Sequence, residues 1–492
     1  AQQSQPKRQA CGVLPQHDAQ IKNQMLRNRA QISPQDLQAL RQSRNVRYVP
    51  VTVHFIGTSA GQYFGSPLRA LLCICALNRD FADQNIQFYL HDNQPIRYLP
   101  DDEAREFGYS SSMFFAKEPN TMNIFVGTSA IPVAGYYMPG EDFIFLQTGE
   151  ANLISRTLTH EAGHFFTLPH TFFGWEDINY DEVYAGAPAP VINGNGSAVE
   201  YATRTGANAN CSTAGDAFCD TEADYYSFRI SCDHNTTVLD PDSVLLTPNN
   251  SYYMSYFDDG CMTTFSAEQK DAILASMTQR NWLNFPTPNL ATITSASISA
   301  VAPAQADTVW RQANGSTLAL RWTASADAMG YILTLERMFM NQPVSTVVDV
   351  AVYDTAYSLP LSDLPNNGAY RWTVYPFGSY NACGAMPVVF DFAVAGALPT
   401  NVSEFAAENT AHISVICSPN PVSCGASLRV EIGSERVQSA RMSLHDALGR
   451  EWAAQRLDLA AGGDNVWLLP LDVPAGIYLL RIATNEGQQT QR

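Results

Sequence analysis

From Tyr48 the chain takes on globular patterning. Val49, Val51, Val53 and Phe55 alternate with polar or opposite-facing positions, the period of two that a half-buried strand shows. Ser66-Pro67 supplies an N-cap followed by proline at the first helical position. Leu68, Leu71, Leu72 and Cys75 then share one face, so a helix is expected there. Short apolar runs at 86–90, 123–126 and 143–146 read as strands, residues 151–166 as a helix, and residues 266–283 as a closing helix after a long loop-rich stretch. Strand, helix, strands, helix predicts a mixed α/β domain over residues 48–285 with an irregular second half. Residues 286–307, rich in Thr, Ser, Ala and Pro, read as a linker. Runs at 318–322, 330–335, 344–352 and 370–375 have sandwich spacing, giving an all-β domain over 308–396. After a second linker, residues 411–492 give another.

Composition changes this picture in three places. Residues 1–47 hold eight basic residues (Lys7, Arg8, Lys22, Arg27, Arg29, Arg41, Arg44, Arg47) against Asp18 and Asp36, so this arm carries +6. The whole chain carries −18, leaving −24 on the rest, and a basic arm is drawn onto an acidic body. That acidity disfavours nucleic acid and anionic membrane as partners, and the longest apolar stretch is far short of the ~20 residues of a membrane helix. Among the ten cysteines, Cys211, Cys219, Cys232 and Cys261 lie in one Asn/Gly/Asp-rich stretch, and Cys417 and Cys424 form a close pair. Cysteines clustered in loops predict disulfides and an oxidising exterior. The start at Ala1-Gln2-Gln3, without Met, fits a processed precursor, so a secreted or bacterial cell-surface monomer is expected.

The chemistry concentrates in Leu158-Thr159-His160-Glu161-Ala162-Gly163-His164-Phe165-Phe166-Thr167-Leu168-Pro169-His170. On a helix, His160 and His164 lie one turn apart on one face, at a separation that suits tetrahedral Zn²⁺. Glu161 points aside, where it can act as a general base without being a ligand. Pro169 biases Leu168 out of the helical region, so the chain can turn back and present His170 as a third ligand. Three neutral ligands leave zinc an open position, the mark of a catalytic site. A water acidified there, with Glu161 passing its proton to a leaving amine, points to peptide-bond hydrolysis.

These residues resemble the metzincin metallopeptidases and, within them, the pappalysin family. The resemblance spans about residues 48–282 and rests on His160–His170 with Thr171-Phe172, on Asn210-Cys211, Gly215-Asp216 and Cys219-Asp220-Thr221, and on Tyr253-Met254-Ser255-Tyr256. It implies an α+β catalytic domain with a mixed, mostly parallel sheet, two main helices and an irregular C-terminal subdomain. Further implications are a Met-turn at Met254, an oxyanion-stabilising Tyr256, and a calcium site from Asp216 with the carbonyls of Cys219 and Thr221. The family-like disulfide pairing is Cys211–Cys232 and Cys219–Cys261, with Cys417–Cys424 pairing elsewhere. Pappalysins that cleave beside Arg or Lys carry an acidic S1′ residue just before the cysteine matching Cys261; here Gly260 occupies that slot, with Asp258 and Asp259 adjacent as the acidic candidates. Thr167 departs from the family's glycine, at a turn where a positive φ is cheap only for glycine.

Gln9-Ala10-Cys11-Gly12 resembles the start of pappalysin pro-segments, which implies a zymogen in which Cys11 caps the zinc until cleavage near Arg41–Arg47. The middle sandwich resembles fibronectin type III modules through Trp322, Tyr331-Ile332-Leu333 and Tyr370-Arg371-Trp372. Residues 411–492 resemble the C-terminal sorting domain of type IX secretion, through Ser418-Pro419-Asn420-Pro421, Leu444–Arg450 and Leu471–Arg481, which makes that secretion machinery an expected partner beside protein substrates. The competing expectation is a non-catalytic surface-binding protein that keeps the zinc as structure.

Overall fold

In a computed structural model the described residues run from 9 to 491, apart from 13–14, 63, 92–93, 132, 235, 281–290, 292, 312–316, 365–366, 381–382, 384, 397–412, 419–426, 435–437, 447–450, 462–464, 471–477 and 485–487. The first element is β1 (Gln9–Cys11), followed by α1 (Pro15–Gln31) and α2 (Pro34–Gln42). β2 (Arg47–Gly57) comes next, then α3 (Pro67–Asp80), β3 (Ile86–Leu90), β4 (Ile96–Pro100), α4 (Asp102–Phe107), α5 (Ser111–Ala116), β5 (Met122–Gly127), β6 (Val133–Met138) and β7 (Phe143–Gln147). The helices α6 (Thr157–Phe165), α7 (Tyr180–Tyr184) and α8 (Ala267–Thr278) complete the first domain.

The seven strands form one sheet in the order β1-β6-β7-β5-β2-β3, with β4 pairing the other half of β2. β2, β3, β4, β5 and β7 run parallel; β6 is antiparallel to β7, and β1 lies parallel to β6 at the edge. Val49, Val51, Val53 and Phe55 are fully buried, but so are Thr52, His54 and Ile56, so the central strand β2 is covered on both faces. The alternation in the sequence marks the strand without revealing the second layer. The sheet and the packed helices α3, α6 and α8 share one core, which also takes in Cys11, Ile21 and Met25 from the N-terminal arm.

That arm is folded onto the domain. Beyond charge attraction, it contributes a strand at the sheet edge and the apolar face of α1, whose Ile21 and Met25 are buried, each of the order of 1.5–3 kcal/mol. Arg29 bonds the Ala217 carbonyl at 3.0 Å and pairs with Glu268 of α8 at 3.3 Å; Arg41 of α2 pairs with Asp271.

The predicted helix over 151–166 is shorter at its start. Asn152 Oδ1 accepts from the N–H groups of Ile154 and Ser155, a local turn that competes with helix, and α6 begins only at Thr157. α8 begins where expected, with Ser266 and Gln269 forming a capping box.

The expected linker over 286–307 is structured at its end, with β8 (Ala300–Ala302) pairing into a sandwich. β9 (Asp307–Trp310), β10 (Thr317–Trp322), β11 (Gly330–Phe339), β12 (Gln342–Val352), β13 (Ala356–Pro360), β14 (Gly368–Phe377) and β15 (Val388–Ala395) complete it. The sheets are β13-β10-β8 and β12-β11-β14-β15-β9, closed over Trp322, Tyr370 and Trp372. This sandwich is fastened to the first domain. Cys75 of α3 is disulfide-bonded to Cys383, Tyr98 Oη accepts from Ala351 N–H at 2.7 Å, and Tyr353 Oη bonds both N–H and carbonyl of Ile96 at 2.9 and 3.0 Å. The C-terminal unit contains β16 (Ile413–Ser418), β17 (Ser427–Ser434), β18 (Gln438–Asp446), β19 (Glu451–Leu459), β20 (Asn465–Pro470), β21 (Tyr478–Thr484) and β22 (Gln488–Gln491), in sheets β16-β17-β20 and β19-β18-β21-β22. Most of the sorting-domain motif residues, and Cys424 of the expected Cys417–Cys424 pair, lie outside the described residues.

Candidate metal centre

The site is assembled from α6, the turn after it, the Met254 loop and the N-terminal arm. His160 and His164 project from successive turns of α6. Thr167 then takes φ +70°, donating its N–H to the His164 carbonyl at 2.8 Å, while Leu168 N–H reaches the Gly163 carbonyl at 2.9 Å. This left-handed helix terminus is what swings the chain back to His170, and a β-branched residue occupies it against its intrinsic preference. Thr167 carries the strain of this turn.

The three imidazoles converge. His164 Nε2 lies 3.1 Å from His160 Nε2 and 3.1 Å from His170 Nε2. Each Nδ1 faces an oxygen acceptor: His160 the Tyr253 carbonyl at 2.6 Å, His164 the Leu168 carbonyl at 2.7 Å and His170 the Asp18 Oδ2 at 3.0 Å. With Nδ1–H donated outward, the three Nε2 lone pairs point at one another, an arrangement that a shared cation relieves. Tetrahedral Zn²⁺ with nitrogen ligands at ~2.0–2.1 Å would hold them about 3.3 Å apart, so the residues fit that ion. Burial holds the imidazoles neutral, His160 down to about 3 and His170 to about 4, which keeps the lone pairs available.

Cys11 completes the cluster. Its sulfur and the three imidazole nitrogens all lie within 4.8 Å of one another, and all four residues are buried. β1 brings it there by pairing with β6, Gln9 opposite Val133 and Cys11 opposite Gly135, with Gly12 N–H bonded to the Gly135 carbonyl at 2.8 Å. A Cβ at Gly135 would stand 2.9 Å from Thr157 Cγ2 and 3.4 Å from Glu161 Cγ, so a glycine is what lets the sheet edge approach α6. Burial pushes the Glu161 carboxyl up to about 8. Tyr256 Oη donates to the Cys11 carbonyl at 3.1 Å, and burial raises this phenol well above its ordinary value, so it stays protonated. Met254 is fully buried under α6; a Cβ at Gly163 would collide with its sulfur.

Several residues here carried no signal in the sequence. Asp18, on α1, faces His170 and Glu176. Burial pushes both carboxyls up, and Asp18 Oδ2 lies 3.0 Å from His170 Nδ1. Lys22, one turn on, donates to the Gly215 carbonyl at 2.6 Å and lies 4.3 Å from the Phe173 ring centroid.

The loop expected to hold calcium contains Asp216, Cys219 and Thr221. Asp216 is fully buried and receives Phe218 N–H at 3.0 Å and the Thr221 hydroxyl at 3.1 Å, while the Thr221 carbonyl accepts from Arg204. Glu200, not singled out beforehand, is the second carboxylate here, paired with Arg204 at 2.8 Å.

The disulfide expectation is corrected. Cys211 pairs with Cys219 and Cys232 with Cys261, in place of Cys211–Cys232 and Cys219–Cys261. Thr213 and Ala214 turn back onto the Asn210 carbonyl, bringing the first pair to a Cα separation of 5.1 Å. For the second pair, Ile230 N–H bonds the Tyr256 carbonyl and Asp258 N–H the Ile230 carbonyl, each at 3.0 Å, drawing the two strands together. Asp258 and Asp259 are both paired with Arg229, at 2.9 and 3.0 Å.

No protein-family model matches the chain, and no curated protein matches it. Among solved structures it is similar to a promirolysin mutant from Tannerella forsythia, at 17% identity over 56% of this chain and 95% of that one, with a TM-score of 0.33. The FN1–FN3 domains of chicken CNTN1 match at 14% identity, 42% and 63% coverage and a TM-score of 0.15. Latent dimeric PorU from Porphyromonas gingivalis matches at 14% identity, 41% and 19% coverage and 0.14. Superpositions this partial leave the functional argument to the site itself.

Proposed function

We propose that the protein is a zinc endopeptidase of the metzincin type, held latent by its own N-terminal arm. The observation that carries this is the triangle of Nε2 atoms whose Nδ1 partners all face outward, with Glu161 and Tyr256 at its side. Zinc held by His160, His164 and His170 would polarise a substrate carbonyl and acidify water. Glu161 would take a proton from the attacking water and deliver it to the departing amine. Tyr256 Oη, here committed to the Cys11 carbonyl, would be released to a substrate oxyanion once the arm leaves.

Latency follows from two contacts of the arm. The Cys11 thiolate would take the fourth metal position, and β1 occupies the β6 edge on which a peptide could pair. Cleavage in the Arg41–Arg47 stretch and export by the type IX machinery through residues 411–492 complete the proposed life history. Casein hydrolysis by the full chain, processed in that stretch, tests the reading against a structural zinc protein. Glu161→Ala is expected to keep one zinc per chain and lose at least about 10³-fold in activity, the scale of a general-base contribution. Equal activity in wild type and Glu161→Ala would remove the proposed mechanism; a fully metallated wild type that cleaves nothing would leave the structural-zinc reading.

A further inference from the structure

Beside His160 lies a small cavity lined by Thr157, Ser255, Phe257, Met262, Asp259 and Arg229. It adjoins the metal centre directly. Thr157 precedes His160 by one turn of α6, and Ser255 and Phe257 flank Tyr256. A substrate side chain next to the cleaved bond would therefore meet this cavity. Its free volume is about 10 Å³, room for one water molecule.

Asp259, which lines this cavity, and its neighbour Asp258 are already satisfied from within the chain. Arg229 gives Nε to Asp258 Oδ1 at 2.9 Å and an Nη to Asp259 Oδ2 at 3.0 Å, and Arg156 N–H takes the remaining Asp259 oxygen at 2.9 Å. Exposed ion pairs of this kind are usually loose, but here the backbone fixes the guanidinium's origin. Ile230, the next residue, exchanges hydrogen bonds with Tyr256 and Asp258, and the Cys232–Cys261 disulfide closes the same two segments. Arg229 is thus held in the cavity lining as a cation supplied by the chain itself.

Resting on the peptidase reading above, we propose that Arg229 determines specificity: the cavity rejects Arg and Lys and accepts small uncharged side chains such as Gly, Ala or Ser. A substrate guanidinium would have to displace Arg229 from two carboxylates and then share the cavity with a like charge. A small side chain leaves the whole network intact.

The test is the cleavage profile of the full chain, processed in the Arg41–Arg47 stretch, on a peptide library, with identically treated Glu161→Ala as the blank. At one position flanking the cut, small residues should exceed Arg and Lys by at least ~10-fold in kcat/KM. Arg229→Ala, which opens the cavity and releases both carboxylates, should raise cleavage at Arg and Lys at least ~10-fold. Wild-type protein that cuts beside Arg or Lys as readily as beside Ala overturns the specificity proposal while sustaining the peptidase. Glu161-dependent cleavage absent from the whole library overturns the peptidase reading and the proposal with it.

Discussion

Thr167 shows how a single position bears the geometry of the site. Its φ of +70° is required for His170 to reach the other two histidines, yet Thr gains nothing locally from that conformation. Asn28 of the arm approaches its hydroxyl at 3.4 Å, a weak compensation. Strain of this kind costs of order 1–3 kcal/mol. Thr167→Gly, which loses some of that gain to unfolded-state entropy, is therefore expected to stabilise the folded protein by about 1 kcal/mol in urea unfolding, with metal affinity unchanged. Destabilisation by a similar amount would mean that the hydroxyl contact outweighs the backbone strain. At this scale the spacing of His160, Glu161, His164 and His170 made the centre legible, because one helix turn and one break fix their relation. Asp18, Glu176 and Arg229 were not legible. Their partners lie across the fold, as with Asp18 and His170, 152 residues apart, and no local period connects them.

Among the elements, β1 and α1 were the hardest to foresee. α1 has only Ile21 and Met25 as a buried apolar pair one turn apart, too short a stripe to stand out in a Gln-rich arm. The polar contacts that seat it, Lys22 on the Gly215 carbonyl and Arg29 on the Ala217 carbonyl, use backbone acceptors that a sequence does not display. β1 is three residues long, yet it delivers Cys11 to the metal centre. Full-length Cys11→Ala should accordingly hydrolyse casein at least ~10-fold faster than full-length wild type, since the open metal position is regained even with α1 in place. If the variant is as silent as the parent, latency arises from the covered β6 edge and the sulfur is not the block. The start of α6 was misplaced because Asn152 forms a turn that an apolar count over 151–156 ignores.

Across the molecule, the order of an α/β domain followed by β domains could be read from where strand and helix periods change. The fastening between the first two could not. Cys75 and Cys383 are 308 residues apart, and Tyr98 and Tyr353 serve as polar hooks inside otherwise ordinary aromatic runs. The middle sandwich contributes Ile332, Tyr375 and Phe377 to the same core as the domain that holds the histidine cluster, so it is a wall of that domain. The reassigned Cys232–Cys261 bridge has a similar consequence, tying the Arg229 segment to the loop beneath the site.

The account stands on three imidazoles and one sulfur sharing a single dication, and X-ray absorption at the zinc edge of the full-length protein reads that directly. One zinc per chain is expected, with three nitrogen scatterers at about 2.0–2.1 Å and one sulfur at about 2.3 Å, the sulfur vanishing in Cys11→Ala. Protein without stoichiometric metal, or a shell of oxygens alone, would contradict it.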